Sequence, residues 1–221
     1  FEALVMNRPR PPAGQVLDTW RPDPYPLGNI IDGWARRPDH KTVATIDFGM
    51  RKPAVVALAF DAKLDAWVAF DEDAPDNCLT HELVRAILSH GWPLVEATCD
   101  PAGGARNAQT GRSDIDLIRR QPPDGLGCPI LFETDAQKRD IRAGVIRMRK
   151  AIESRRLLIT RELWERGMRA PRTQRTLARS ILGYRYPDKG GGEPLKDGVN
   201  DHFIDALRYF AMLHLWHETV V

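Results

Sequence analysis

No apolar run approaches the ~18 residues that a membrane-spanning helix needs. The opening "FEALVMNRPRPP" has no signal-peptide layout and no initiator methionine, so it reads as the interior of a longer chain, cut at a linker. Cysteine is scarce: Cys78, Cys99 and Cys128 are widely spaced, odd in number and form no CxxC pair. That argues against a disulfide framework or a zinc site and for a reduced compartment. A GxxxxGK[ST] phosphate loop is missing, so motor-type ATP hydrolysis is not expected of these residues. Internal repeats are absent, and no Ser/His/Asp or Cys/His arrangement suited to nucleophilic catalysis stands out.

What is present is ordinary for a globular domain with extensions: 221 residues, 43% hydrophobic and 28% charged. The net charge of +2 is unevenly spread. Residues 1–100 hold 10 Lys/Arg against 15 Asp/Glu, a balance of −5, and residues 101–221 hold 22 against 15, a balance of +7. A basic half beside clustered acids suits a polyanion approaching a site that itself holds cations, although Arg-rich solvated helix faces account for the same numbers.

Residues 1–41 are rich in Pro, Arg and Asp without a sustained period and are expected to be an irregular extension lying across a neighbouring domain. Three strands in short succession follow, "TVATIDFG" (42–49), "PAVVALAF" (53–60) and "AWVAFD" (66–71), which implies an antiparallel meander. A helix over 79–90 places Leu79, Leu83, Ile87 and Leu88 on one face before Gly91. "PLVEATCD" (93–100) is a fourth strand, 113–121 a short helix capped by Ser113 with Asp116, and "CPILFE" (128–133) a fifth strand. A basic helix covers 135–154 on a seam of Ile141, Val145, Met148 and Ile152. A short strand at 156–160, a helix near 172–183, a glycine-rich loop over 187–198 and a helix after Asn200 complete the chain. This order predicts an α/β fold of ribonuclease H-like type, a mixed sheet in which an antiparallel meander precedes βα units, with helices on both faces.

Three carboxylates stand at element ends. Asp47 closes the first strand ahead of Gly49, and Asp100 closes the strand "PLVEATCD" ahead of a long small-residue loop. Either could merely open a turn. Asp205 is harder to explain that way, because it sits in the nearly all-apolar "FIDALRYFAML", where a buried carboxylate is costly unless paired or metal-bound. Asp201, His202 and Asp205 share one helical face, and capping with dipole compensation accounts well for Asp201 and less well for Asp205. Acids from two strands and a helix suit Mg²⁺ or Mn²⁺, and two such ions ~4 Å apart can activate water and stabilise a leaving oxygen in phosphodiester cleavage.

"ATIDFGMRKPAVVAL", "EATCDPAGGARNAQTGRSDIDLI" and "KDGVNDHFIDALRYFA", in that order, resemble the C-terminal nuclease domain of tailed-bacteriophage terminase large subunits. "PRPPAGQVLDTW" resembles the segment entering that domain from its ATPase domain, so the resemblance places an extension at 1–41 and the nuclease domain at 42–221. It implies a ribonuclease H-like endonuclease that cuts concatemeric double-stranded DNA with two divalent metals (Mg²⁺ or Mn²⁺) and little sequence specificity. It also implies a monomeric fragment acting in the host cytoplasm. The partners it implies are DNA, portal protein, the small terminase subunit and the N-terminal ATPase domain, with no membrane. Carried over by motif, Asp47, Asp100 and Asp205 are the catalytic metal ligands, and His202 and Asp201 are auxiliary metal-facing residues. The family's pattern is departed from at Pro53, where some relatives carry a further acid.

Phosphate contacts are expected from Arg51 and Lys52, from Arg106 and Arg112, and from Lys196. The basic helix bearing Lys138, Arg139, Arg142, Arg147, Arg149 and Lys150 is expected to be a solvated face or to meet a neighbouring subunit. The glycine-rich loop suits either a flap over DNA or a plain connector. Two other readings use the same features: a Holliday-junction resolvase or transposase-like nuclease of the same fold, and an actin-like ATPase half in which "DFG" cradles phosphate. Met50, where the latter wants Ser or Thr, argues against it.

Overall fold

The computed structural model describes residues 14–49, 52–106, 111–134, 140–188 and 192–215. Among them the strands are β1 (Ile30–Ile31), β2 (Lys41–Asp47), β3 (Ala54–Asp61), β4 (Ala66–Asp73), β5 (Leu94–Cys99), β6 (Ile130–Leu131) and β7 (Leu157–Thr160). The helices are α1 (Thr80–Ser89), α2 (Asp114–Ile118), α3 (Ile141–Glu153), α4 (Arg161–Arg169), α5 (Leu177–Gly183) and α6 (Asp201–His214). The strands form one mixed sheet in the order β1-β7-β4-β3-β2-β5-β6. β2, β3 and β4 are the expected antiparallel meander, and β5, β6, β7 and β1 pair in parallel around it.

Alternation along the strands sends side chains to both faces. Val43, Val56, Leu58, Trp67 and Ile159 enter the larger core with the apolar seams of α3, α4, α5 and α6. Ala44, Ile46, Val55, Ala97 and Cys99 point the other way, under α1 and α2. The ribonuclease H-like sheet with helices on both faces is therefore present. Phe203, Ile204, Leu207 and Phe210 of α6 are each at most 2% exposed, and burying each contributes on the order of 1.5–3 kcal/mol. That burial pins α6 across the sheet.

Several elements differ from the sequence reading. The strand expected at 128–133 is only Ile130–Leu131, and the helix expected at 113–121 is Asp114–Ile118. Its capping box is as expected: Ser113 Oγ accepts from Asp116 N–H at 3.1 Å, and Asp116 Oδ2 accepts from Ser113 N–H at 3.2 Å. The helix expected near 172–183 starts only at Leu177, behind the cap Thr176, because Pro171 and the turn after it hold a loop. α4 was not expected. Its cap Thr160 accepts from Leu163 N–H at 3.3 Å, but only Leu163, Trp164 and Gly167 are buried, too few for a clear periodic signal.

Residues 14–31 pack on this domain. Val16, Leu17 and Trp20 join the larger core, Trp20 stacks on Trp164, and Asn29 Nδ2 donates to the carbonyls of Ile152 and Leu157.

Candidate functional site

The parity of β2 aims Val43, Thr45 and Asp47 at α6. Thr45 Oγ1 donates to the Ala206 carbonyl at 2.5 Å, which binds strand to helix two residues before Asp47. β2 and β5 are parallel, with Ile46 opposite Cys99, so both strands leave the sheet at one edge. Asp100 N–H donates to the Ile46 carbonyl at 3.3 Å, and this sets the second acid beside the first. The Asp100 carboxylate accepts from Ala102 N–H at 2.8 Å, opening the 3₁₀ turn Pro101–Gly104. At Gly49, φ is +40° and an added Cβ would lie 2.5 Å from the Lys52 carbonyl oxygen and 2.9 Å from the His202 ring, so only glycine fits.

The α6 N-terminus brings the rest. Asn200 occupies the expected cap position but makes no capping bond with its side chain. Asp197 holds the turn before the helix: Oδ1 accepts from Val199 and Asn200 N–H at 2.8 and 2.7 Å, and Oδ2 from Asn200 Nδ2 at 2.7 Å. In the first turn of α6, His202 Nδ1 lies 2.7 Å from Asp47 Oδ2. Asp205, 5% exposed, has both oxygens engaged: Lys196 Nζ contacts Oδ2, and Arg208 Nε donates to Oδ1 at 3.2 Å.

Burial pushes the Asp47 carboxyl above its ordinary range. The His202 hydrogen bond works against that rise, and the charges of Asp205 and Asp100 add to it. Hydrogen bonding to Asp47 raises His202, against its own burial, and the charges of Asp47 and Asp201 reinforce the rise. The Tyr209 phenol is pushed up chiefly by burial, and all three acids, Asp100, Asp205 and Asp47, add to the shift. The three carboxylates therefore share one electrostatic neighbourhood at one sheet edge. Asp201, one turn before Asp205 on α6, is buried with its Oδ1 lacking a hydrogen-bond partner.

The donor set suits a hard cation: carboxylate oxygens, partly buried, with an unpartnered acid oxygen close by. As they stand, however, no three His, Cys, Asp or Glu side chains among the described residues are grouped as ligands of one ion. The reason is visible in their partners. Asp47 faces His202, Asp100 faces its own turn, and Asp205 is neutralised by Lys196 and Arg208. Holding an ion requires at least Lys196, half exposed, to let go of Asp205.

Of the expected phosphate contacts, Lys52, Arg106 and Arg112 are exposed, and Lys196 is on Asp205 instead of projecting freely. Arg51 lies outside the described residues, as do Lys138 and Arg139 of the basic helix and the centre of the glycine-rich loop. The rest of that helix is not a bare solvated face. Arg142 donates to the Gly192 carbonyl, Arg147 to the Met212 carbonyl at 2.9 Å, and Arg149 pairs with Asp18 at 2.7 Å. Three residues in the neighbourhood escaped the sequence reading: Arg208, Tyr209 and Arg175. Arg208 and Tyr209 had a signal, since they lie three and four residues beyond Asp205 and so share its face. Arg175 had none, because it arrives from a separate loop to donate to the Lys52 carbonyl at 2.8 Å.

A mixed sheet with this strand order and an acid-lined edge defines a ribonuclease H-like fold. Among solved structures it is similar to the large terminase nuclease domain of phage P22, at TM-score 0.59 and 15% identity over 83% of this chain and 86% of that one. It is also similar to the g2p large terminase nuclease domain of bacteriophage SPP1 with bound Mn (TM-score 0.53, 16% identity, 82% and 94% covered). The large terminase nuclease of thermophilic phage G20c with bound magnesium is a third such structure (TM-score 0.54, 14% identity, 91% and 98% covered). No protein-family model and no curated protein sequence matches the chain.

Proposed function

We propose that this chain is the endonuclease domain of a viral DNA-packaging terminase, cutting concatemeric double-stranded DNA by metal-dependent phosphodiester hydrolysis with little sequence specificity. One observation carries the reading: two parallel strand ends and one helix bring Asp47, Asp100 and Asp205 into a single neighbourhood, where burial and mutual repulsion raise Asp47. Such crowding of like charge is costly in a site with no ligand and useful in one that takes cations. The terminase nuclease structures crystallised with Mn or magnesium favour the same ions here.

Asp47, Asp100 and Asp205 would hold Mg²⁺ or Mn²⁺, two ions with DNA bound, with Asp201 as an auxiliary. Bound there, the ions supply Lewis-acid stabilisation of charge on the phosphodiester and a reactive water at neutral pH. The chain's own part is positional. His202 fixes the Asp47 carboxylate from one side, and Arg208, anchored in α6, fixes Asp205 from another. Lys196 exchanges its contact with Asp205 for a DNA phosphate, beside Lys52, Arg106, Arg112 and Arg51. In this reading residues 1–41 lead from an ATPase domain, and the portal and the small terminase subunit are partners in the host cytoplasm. Among the described residues no helix is long and apolar enough to cross a membrane.

The test is cleavage of supercoiled plasmid. Nicking and cutting are expected with Mn²⁺ or Mg²⁺, to be lost with chelator and in Asp47→Ala, Asp100→Ala and Asp205→Ala; full activity in those variants overturns the reading. Equal cutting of linear and branched duplexes is expected, and strict preference for a four-way junction would favour a resolvase.

A further inference from the structure

Beside the acids lies a cavity of about 330 Å³ that the proposed hydrolysis does not use. It opens between the loop before α5 and the start of α6, with Asn200, the residue preceding Asp201, in its wall. Arg172, Arg175 and Arg179 line it with the Gln174 amide and the Ser180 hydroxyl, and no carboxylate is among its lining residues.

The three arginines are held differently. Arg179 is spent on shaping the wall, its guanidinium donating to the carbonyls of Pro171, Met168 and Ala170, so its charge is present but its donors are taken. Arg175 is 8% exposed; it donates to the Lys52 carbonyl at 2.8 Å and pairs with Asp76 at 3.2 Å. Its Nε is buried with no hydrogen-bond partner, which is costly for a charged donor. Arg172 is exposed at the rim. Arg175 also links the cavity to the loop that leaves Asp47, so the cavity flanks the acids on their His202 side.

Two arginines held in the wall, Arg175 partly offset by Asp76 but with one N–H unsatisfied, and the free guanidinium of Arg172 at the rim, around a space larger than a tetrahedral oxyanion, ask for a phosphate rather than a neutral or cationic group. We propose that this cavity binds one phosphate of the DNA backbone, next to the phosphate that is cut, and so sets the register of the strand over the acids. The proposal rests on the nuclease reading and names a subsite for its substrate. Arg172 makes the exchangeable contact; Arg175 is a positioning residue.

The test is binding of a fluorescent duplex by the whole chain in chelator, by anisotropy, over a range of salt. Arg172→Ala is expected to flatten the log–log salt slope by about 0.9 and to weaken binding about 5–10-fold at 0.1 M salt, equally for unrelated sequences. Arg172→Lys keeps the slope. Arg169→Ala, whose exposed guanidinium pairs with Glu165 outside this cavity, is expected to match wild type. Wild-type slopes in both Arg172→Ala and Arg172→Glu overturn the proposal. A second arm titrates inorganic phosphate and follows the melting temperature. An Arg172-dependent rise together with unchanged DNA binding would assign the cavity to free phosphate and overturn the DNA assignment. If wild type cuts plasmid while Arg172 variants bind normally, this inference alone fails; if wild type neither binds nor cuts, the nuclease reading fails with it.

Discussion

His202 Nδ1 stands 2.7 Å from Asp47 Oδ2, across 155 residues of sequence, and the contact joins the N-terminus of α6 to the end of a central strand. The two groups act on each other in opposite senses to burial. The bond holds Asp47 toward its charged form, while burial and two neighbouring acids drive it toward neutrality. His202→Ala leaves Asp47 without its hydrogen-bond partner in a buried site. We expect a loss of about 1–3 kcal/mol in urea unfolding at pH 7 and a drop of tenfold or more in plasmid cleavage. Wild-type stability together with wild-type cleavage would show that the contact positions nothing.

Asp47→Asn is expected to separate stability from function. Because burial already favours the neutral carboxyl, the isosteric amide removes like-charge repulsion while still able to bond His202. The variant should be more stable than wild type without metal, by on the order of 1 kcal/mol, and inactive. Thermal unfolding in chelator checks the first half; a lower melting temperature would mean that the charged contact of Asp47 with His202 outweighs the repulsion among the acids.

Lys196→Ala frees Asp205 Oδ2. Metal entry then no longer competes with an ammonium group, so Mn²⁺ should bind the free protein about tenfold more tightly, measured by calorimetry or by the metal-induced rise in melting temperature. DNA binding in chelator should weaken in the same variant, through the lost phosphate contact. Unchanged Mn²⁺ affinity would mean that Lys196 leaves Asp205 at no cost.

Glu72 supplies a pH test away from the acids. Its carboxyl, partly buried and accepting from Leu177 N–H at 2.5 Å, is pushed up from 4.5 to about 7, chiefly by desolvation. The folded state prefers the protonated form. That contribution is complete below about 4.5, shrinks as pH rises through the folded value near 7, and is gone above it. Glu72→Gln keeps an acceptor and removes the titration. Wild type should therefore lose stability relative to Glu72→Gln between pH 4.5 and 7, by about 3 kcal/mol at most. A difference flat across that range in urea titrations would mean that Glu72 ionises freely in the fold.

The meander was legible because β-branched runs bounded by glycine and aspartate have a period that no helix shares. Asp47, Asp100 and Asp205 stood out for a related reason: each interrupts or ends an apolar run, and a local sequence shows such an interruption at once. α4 was not legible because few of its residues are buried, and β1 because it is only two residues long and pairs with the distant β7.

The sequence by itself determined that strands 2, 3 and 4 form an antiparallel meander, that α6 is anchored by its apolar length, and which carboxylates stand at element ends. These follow from periodicity and from the cost of burying charge, both properties of neighbouring residues. Only the tertiary structure decided what those carboxylates touch. Asp205 is shared by Lys196 and Arg208, Asp47 is held by His202, and an arginine cavity built from the 172–180 segment lies alongside. Such partners come from loops and helices far apart in the chain, and side-chain geometry, not local propensity, selects them.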